Sequence, residues 1–204
     1  PTGTGKTAAL GLPALQFLQD FPRRKPGPAR VLILTPTREL AMQVADQARA
    51  LAKNTKLNIF TITGGVQYQE HADILATTQD IVVATPGRLR EYIDAERFDC
   101  RAIEWLILDE ADRMLDMGFA PTVDRLSNEC RWRKQTLLFS ATMSKDIARM
   151  AKNYMNAPAE ISVGTKNSGA KNVEHQYYLV NNSDRYEALK RVADSNLDIY
   201  GIVF

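Results

Sequence analysis

Trp105-Leu106-Ile107-Leu108-Asp109-Glu110-Ala111-Asp112 is the most informative run in the sequence. Four apolar residues without polar alternation read as a strand buried on both faces, the kind found in parallel sheets covered by helices. The acids that follow then lie at the strand's carboxyl end, where open α/β sheets bind their ligands. Asp109 is suited to holding a magnesium ion, usually through its water shell, and Glu110 can orient or deprotonate a water attacking a γ-phosphate. Three acids this close repel one another unless a cation relieves them. A solvated acidic turn would explain neither the buried strand nor the glycine-rich segment upstream. Four specified letters arise by chance in a chain this long in roughly one sequence in a thousand, so the run carries information.

Working outward, short apolar runs recur at Val31 to Leu34, Ile59 to Ile62, Ile81 to Ala84 and Thr136 to Phe139. Between them lie amphipathic segments such as Glu39 to Lys53, with Leu40, Val44, Ala48 and Leu51 at helical spacing. The alternation predicts a parallel α/β sheet with helices on both faces. Two stretches read as loops: Asp20 to Ala29, rich in Pro and basic residues, as a solvated surface loop, and Gly164 to Asn172 as an interdomain linker. A strand (Gln176 to Val180), a helix (Ser183 to Ser195) and a strand (Tyr200 to Phe204) are expected after it.

Thr2-Gly3-Thr4-Gly5-Lys6-Thr7, followed by Ala8-Ala9-Leu10, matches the later part of a phosphate-binding loop. Glycines let successive N–H groups point at phosphate oxygens, and the helix behind adds its positive end. Lys6 is expected to reach the β- and γ-phosphates and the Thr7 hydroxyl to ligate Mg²⁺. A helix N-cap turn is the plainer reading of Gly-Lys-Thr taken alone.

The remaining numbers exclude more than they assign. The 204 residues carry 26 basic and 24 acidic side chains, a formal charge of +2, so charge alone makes no case for nucleic acid. No apolar run approaches a bilayer span. Cys100 and Cys130 lack metal or disulfide spacing and read as buried free thiols. His71 and His175 stand alone without metal-ligand spacing. Met114, Met117 and Phe119 read as helix-packing residues, and Trp132, between Arg131 and Arg133, as part of a surface helix. The start at Pro1, without an initiator Met or leader, reads as a cut edge inside a longer protein.

Taken in order, these motifs resemble the DEAD-box RNA helicases of superfamily 2, from Pro1 to Phe204. Thr2 to Thr7 resembles motif I, Pro36-Thr37-Arg38-Glu39-Leu40 motif Ia, Gly64-Gly65 the GG element and Thr85-Pro86-Gly87-Arg88-Leu89 motif Ib. Asp109 to Asp112 resembles motif II, Ser140-Ala141-Thr142 motif III and Ile202-Val203-Phe204 the start of motif IV. Through Leu138 the likeness is strongest to the bacterial SrmB type, linked to ribosome assembly, and beyond Met143 it shifts toward other bacterial members of the family. Singly, PTREL, GG and TPGR read as ordinary turns, and Ser140 and Thr142 as strand-end hydroxyls or a helix cap.

The resemblance implies a first RecA-like ATP-binding domain over residues 1–163, a linker over 164–174 and the beginning of a second RecA-like domain over 175–204. It implies an RNA-dependent ATPase that uses ATP and Mg²⁺, with Thr2, Gly3, Thr4, Gly5, Lys6 and Thr7 on the phosphates and Thr7 and Asp109 on the metal. Lys6, Asp109, Glu110, Ser140 and Thr142 would serve catalysis, motif III linking the DEAD residues to domain closure. Pro36, Thr37, Arg38, Gly64, Gly65, Thr85, Pro86, Gly87 and Arg88 would contact RNA through phosphates and sugar, independent of sequence. Cytoplasmic work on RNA, with ribosomal or ribonucleoprotein partners reached through other regions, is the expected setting. The 204 residues by themselves are expected to show little helicase activity and an open sheet edge where the strand entering motif I would lie. The alternative is an ATP-controlled RNA clamp without strand separation. A DNA translocase is disfavoured by Ala111, where many relatives carry other letters.

Overall fold

The computed structural model describes residues 5–65, 77–163, 176–196, 198, 200 and 201. Thr2 to Thr4 of motif I, the two histidines, the linker over 164–174 and Ile202 to Phe204 lie outside them. The chain divides into two compact units, Pro1–Asn167 and Ser168–Phe204.

In the first unit, α1 (Lys6–Asp20) is followed by β1 (Val31–Leu34), α2 (Arg38–Leu51), β2 (Ile59–Ile62) and β3 (Ile81–Ala84). Then come α3 (Pro86–Asp94), a 3₁₀ turn (Cys100–Ala102), β4 (Trp105–Leu108), α4 (Ala111–Asp116), α5 (Ala120–Glu129), β5 (Gln135–Leu138) and α6 (Lys145–Tyr154). The strands form one parallel sheet in the order β2-β3-β1-β4-β5. Four strands fall where the apolar runs put them. The fifth begins one residue earlier than expected, at Gln135, whose N–H bonds the Glu104 carbonyl and so lengthens the ladder.

The alternation of side chains across the pleat explains why the central strands are apolar throughout. Leu32, Leu34, Val82, Ala84, Leu106 and Leu108 face one layer, packed by Leu89 and Tyr92 of α3, Met114 of α4, Val123 and Leu126 of α5, and Ile147 and Met150 of α6. Val31, Ile33, Ile81, Val83 and Ile107 face the other, against Leu10, Ala14 and Leu18 of α1 and Ala41, Val44 and Ala45 of α2. The expected helices on both faces are therefore present. Full burial is confined to the middle of the sheet: β1 and β3 are buried along their whole length, whereas the edge strand β5 is half-buried and exposed at Gln135.

Several expectations are corrected. In α2 the buried stripe runs through Ala41, Val44, Ala45 and Ala48, small residues that let the helix approach the sheet, while Leu51 is exposed. Met114 is core, but Met117 is exposed, because α4 ends one residue before it and Gly118 turns the chain. Trp132 lies in the turn after α5, 65% exposed, with Arg131 stacked over its ring, while Arg133 folds inward onto the carbonyls of Ser127, Cys130 and Tyr154. The loop after α1 is tied down by Arg23, which meets the Gln79 carbonyl at 3.2 Å and Asp80 at 3.4 Å. Both cysteines are free and buried, as read, and contact with Cys130 and burial together push the Cys100 thiol's pKa up.

In the second unit a 3₁₀ turn (Asn182–Asp184) leads into α7 (Arg185–Ser195), close to the expected helix. Gln176 to Val180 is not a strand, and neither Tyr200 nor Gly201 belongs to an element. A lone strand has no ladder to complete, and a segment whose Tyr177 and Leu179 are largely exposed gains nothing from extension.

Candidate nucleotide and nucleic-acid site

The candidate residues after β1 to β5 follow the ends of strands, so the sheet gathers them along one edge, while Gly5, Lys6 and Thr7 stand at the start of α1. Past β4, Asp109 continues the ladder by donating its N–H to the Leu34 carbonyl at 2.9 Å, which fixes its side chain at the rim. That side chain is only 4% exposed. Burial raises the pKa of its carboxyl above the ordinary aspartate range and the neighbouring Glu110 adds to the rise, while the Glu110 N–H bonded to Oδ1 at 3.0 Å and the charge of Lys6 oppose it. The charge of Lys6, in the first turn of α1, thus acts on Asp109 although the two are remote in sequence.

Gly5 starts α1 with φ +76°. Nothing lies within 4 Å of a Cβ there, so it is the left-handed backbone, and not space, that calls for glycine. Glu110 adopts a similar backbone without that licence, at φ 51° and ψ 51°, a conformation disfavoured for a side chain of this kind and typical of functional turns. Its Oε2 lies 3.3 Å from Arg113 Nη1 on the next turn of α4.

Asp112 is the residue that sequence reading left out of the site. Its Oδ2 accepts hydrogen bonds from the Ala141 N–H (3.2 Å), the Thr142 N–H (3.0 Å) and the Thr142 hydroxyl (3.1 Å). Partial burial pushes its pKa up, but these donors, with Ser140, outweigh that and hold it below the ordinary range. Ser140 donates to the Thr142 carbonyl at 2.7 Å, and the Ala111 N–H bonds the Phe139 carbonyl at 3.0 Å. The acidic stretch after β4 and the Ser-Ala-Thr stretch after β5 are thus one hydrogen-bonded unit. An acid two residues past Glu110 facing two hydroxyl residues at the next strand's end was the available signal.

The other three strands end in a different chemistry. After β1, Thr35 is fully buried, and the Thr37 hydroxyl caps α2 by accepting the Leu40 N–H at 3.2 Å. Arg38, the first residue of α2, is exposed. After β3, Thr85 precedes α3 without a side-chain cap, Pro86 is buried at the helix start, and Gly87 and Arg88 are half-buried. Arg88 folds back on its own helix, bonding Glu91 and lying 5.3 Å from the Tyr92 ring centre. After β2 come the buried Thr63 and the exposed Gly64 and Gly65, the latter at φ +81°. Because the strand order is β2-β3-β1-β4-β5, the three loops with hydroxyls, glycines and arginines are contiguous, and so are the two acidic and hydroxyl-rich loops.

Residues 1–150 match the DEAD/DEAH box helicase family. The chain belongs to that family. Among relatives of this DEAD-box chain, the ATP-dependent RNA helicase SrmB of Escherichia coli is 59% identical over 93% of this chain and 43% of its own length. SrmB of Haemophilus influenzae is 54% identical over 100% of this chain and 47% of its own. The alignment with Haemophilus influenzae SrmB spans the whole chain, including the part beyond Met143 where the sequence suggested a shift toward other members of the family. In solved structures, the yeast DEAD-box splicing factor Prp28 superposes with a TM-score of 0.78 at 32% identity, over 95% of this chain and 47% of that one. A DEAD box protein from Methanococcus jannaschii gives 0.73 at 39%, over 98% and 52%. The five-stranded sheet is the RecA-like sheet of these helicases, and the family implies use of a nucleotide and binding of RNA. The DEAD-box chain spans about half the length of the curated relatives it matches. Among the described residues no helix is long and apolar enough to cross a membrane.

Proposed function

We propose that the protein carrying this chain is a bacterial, cytoplasmic ATP-dependent RNA helicase. In this reading the loops after β4 and β5, with the start of α1, work on the nucleotide, and those after β2, β3 and β1 hold RNA. The observation that carries it is the buried Asp109 carboxylate at the end of β4, drawn on by the charge of Lys6. A desolvated carboxylate repelled by its neighbour is a group that a divalent cation would relieve. Magnesium suits such a carboxylate, since that ion keeps its waters and takes one or two carboxylates plus phosphate oxygens.

Thr2 to Thr7 would cradle the phosphates, Lys6 binding the terminal ones, with Thr7 and Asp109 holding the metal. Magnesium, when bound with ATP, supplies neutralisation of the charge on the transferring phosphoryl group. Glu110 orients the attacking water and takes its proton on its side-chain carboxylate. Asp112, gripped by Ala141 and Thr142, ties this chemistry to the β5 loop, so that Ser140 and Thr142 transmit the nucleotide's state to the rest of the machine. Pro36, Thr37, Arg38, Gly64, Gly65, Thr85, Pro86, Gly87 and Arg88 contact RNA phosphates and sugar. Residues 175–204 begin a second RecA-like domain after a linker over 164–174, closure of the two domains strains bound RNA, and ribonucleoprotein partners are reached through other regions.

The test is ATP turnover by the intact protein with RNA, with DNA and with neither. RNA alone should stimulate it, and Glu110→Gln should lower the RNA-stimulated rate by about 10²- to 10⁴-fold while nucleotide binding persists. Equal stimulation by DNA, or normal hydrolysis by the variant, would overturn the reading.

A further inference from the structure

The two glycines after β2 are not equivalent. A Cβ built on Gly64 meets nothing within 4 Å, whereas one built on Gly65 would lie 2.1 Å from Nη1 and 3.3 Å from Cζ of Arg38. Gly65 also sits at φ +81°, a left-handed backbone that residues with a side chain rarely adopt. Arg38 starts α2, just past β1, and β1 and β2 flank β3 in the sheet. Its guanidinium lies against the bare backbone of Gly65, so the loop after β1 meets the loop after β2. One methyl group at Gly65 would occupy that space. The obstructing atom is the tip of a flexible side chain, so the chain would still fold and the guanidinium would move.

We infer that Gly65 is a positioning residue for Arg38: the missing side chain reserves the space that holds the guanidinium against the loop after β2, preset for an RNA phosphate. This rests on the proposed RNA site and departs from its simplest form, in which the glycine only lets RNA approach the main chain. Arginine carries large rotamer freedom, and a group already held in place does not lose that freedom again on binding. Gly65 thus acts on RNA through Arg38, and the loops after β1 and β2 form one contact.

The experiment measures RNA affinity against salt concentration, together with thermal stability, for the intact protein and for Arg38→Ala, Gly65→Ala, Gly65→Asn and the double variant Arg38→Ala/Gly65→Ala. Losing one phosphate contact should weaken binding several-fold and reduce the slope of log affinity against log salt by about 0.7. Gly65→Ala should reproduce both changes seen in Arg38→Ala, and the double variant should be no weaker than either single one. Gly65→Asn, which tolerates a left-handed backbone but carries a Cβ, should do the same and so separates volume from backbone strain. In thermal unfolding, adding Arg38→Ala to Gly65→Ala should restore part of the lost stability, since the clash is gone. Losses that multiply, or a Gly65→Ala that weakens binding with an unchanged salt slope, would overturn the inference. An Arg38→Ala variant with normal RNA affinity would instead remove the RNA reading on which it rests.

Discussion

The amino ends and the carboxyl ends of the strands, only four residues apart, are built on opposite principles. At the amino ends charges are closed against partners. Glu104, just before β4, meets both Arg30, just before β1, and Lys134, just before β5. Asp80, before β3, accepts the Asn58 N–H at 2.8 Å and faces Arg23. At the carboxyl ends Asp109 is buried among like charges and Glu110 holds a left-handed backbone. One end is arranged for stability, and the other keeps groups poised for a ligand at some cost in stability. Removing a negative charge should therefore have opposite effects on stability at the two ends.

The largest effect is expected from Asp109→Asn. ATP turnover should fall on the order of 10²- to 10³-fold, the usual loss when a preorganised charge at a reacting centre is removed. The unfolding temperature, measured without nucleotide or divalent cation, should rise, by about 0.5–2 kcal/mol in stability terms. The neutral amide is not penalised by burial and is not repelled by Glu110. A lower unfolding temperature would show that Asp109 is held as the amino-end acids are, and the contrast would collapse.

The next effect runs the other way. Glu104→Gln should cost about 1–3 kcal/mol, because the partly buried Arg30 loses its charged partner. Lys134 is largely exposed and adds little. Turnover per folded molecule should not change. Burial pushes the Glu104 pKa up, yet Lys134 and Arg30 bring it net below the ordinary glutamate range. A depressed folded value means that the contribution is complete above the unfolded pKa and disappears as pH falls through the folded one. Denaturant titrations should therefore show the two proteins diverging at neutral pH and converging in acid below about pH 4. A gap that persists in acid would place the loss in packing instead of charge.

The sequence discloses these two ends unequally. The strands were legible because both faces of β1, β3 and β4 are covered, which leaves uninterrupted apolar runs, and the residues after them were legible because motifs announce them. The order β2-β3-β1-β4-β5, which gathers the loops proposed to hold RNA on one side, is a tertiary property that no local pattern encodes. Likewise the contact of Gly65 with Arg38 joins two motifs that read as independent turns. The ion pairs of the amino ends were invisible, since Arg30, Glu104 and Lys134 are single charges in polar turns and meet only when parallel strands come into register. The segment Gln176 to Val180 was misread for the converse reason: its composition suits a strand, but a strand requires a neighbour.

Asp112 sharpens the contrast, because it lies at the carboxyl ends yet behaves like an amino-end acid. It shares a motif with Asp109, and the two pKa values move in opposite directions from the ordinary one. The difference is supply of donors: Ala141 and Thr142 come from the loop after β5 and point at Asp112, while among the described residues Asp109 receives the N–H of its own neighbour. What separates the ends is thus whether donors reach the carboxylate, and position follows from that. Asp112→Asn should accordingly lower stability by about 0.5–1.5 kcal/mol at neutral pH, the smallest of the three effects, since its hydrogen bonds lie near the surface. The loss should fade below the ordinary aspartate range, where the wild-type carboxylate itself becomes protonated. RNA stimulation of the ATPase should weaken more than basal hydrolysis, because the amide keeps the shape of the turn but loosens its hold on Thr142. A stability gain from Asp112→Asn would mean that the three donors do not outweigh burial, and that proximity to Glu110 governs both aspartates alike.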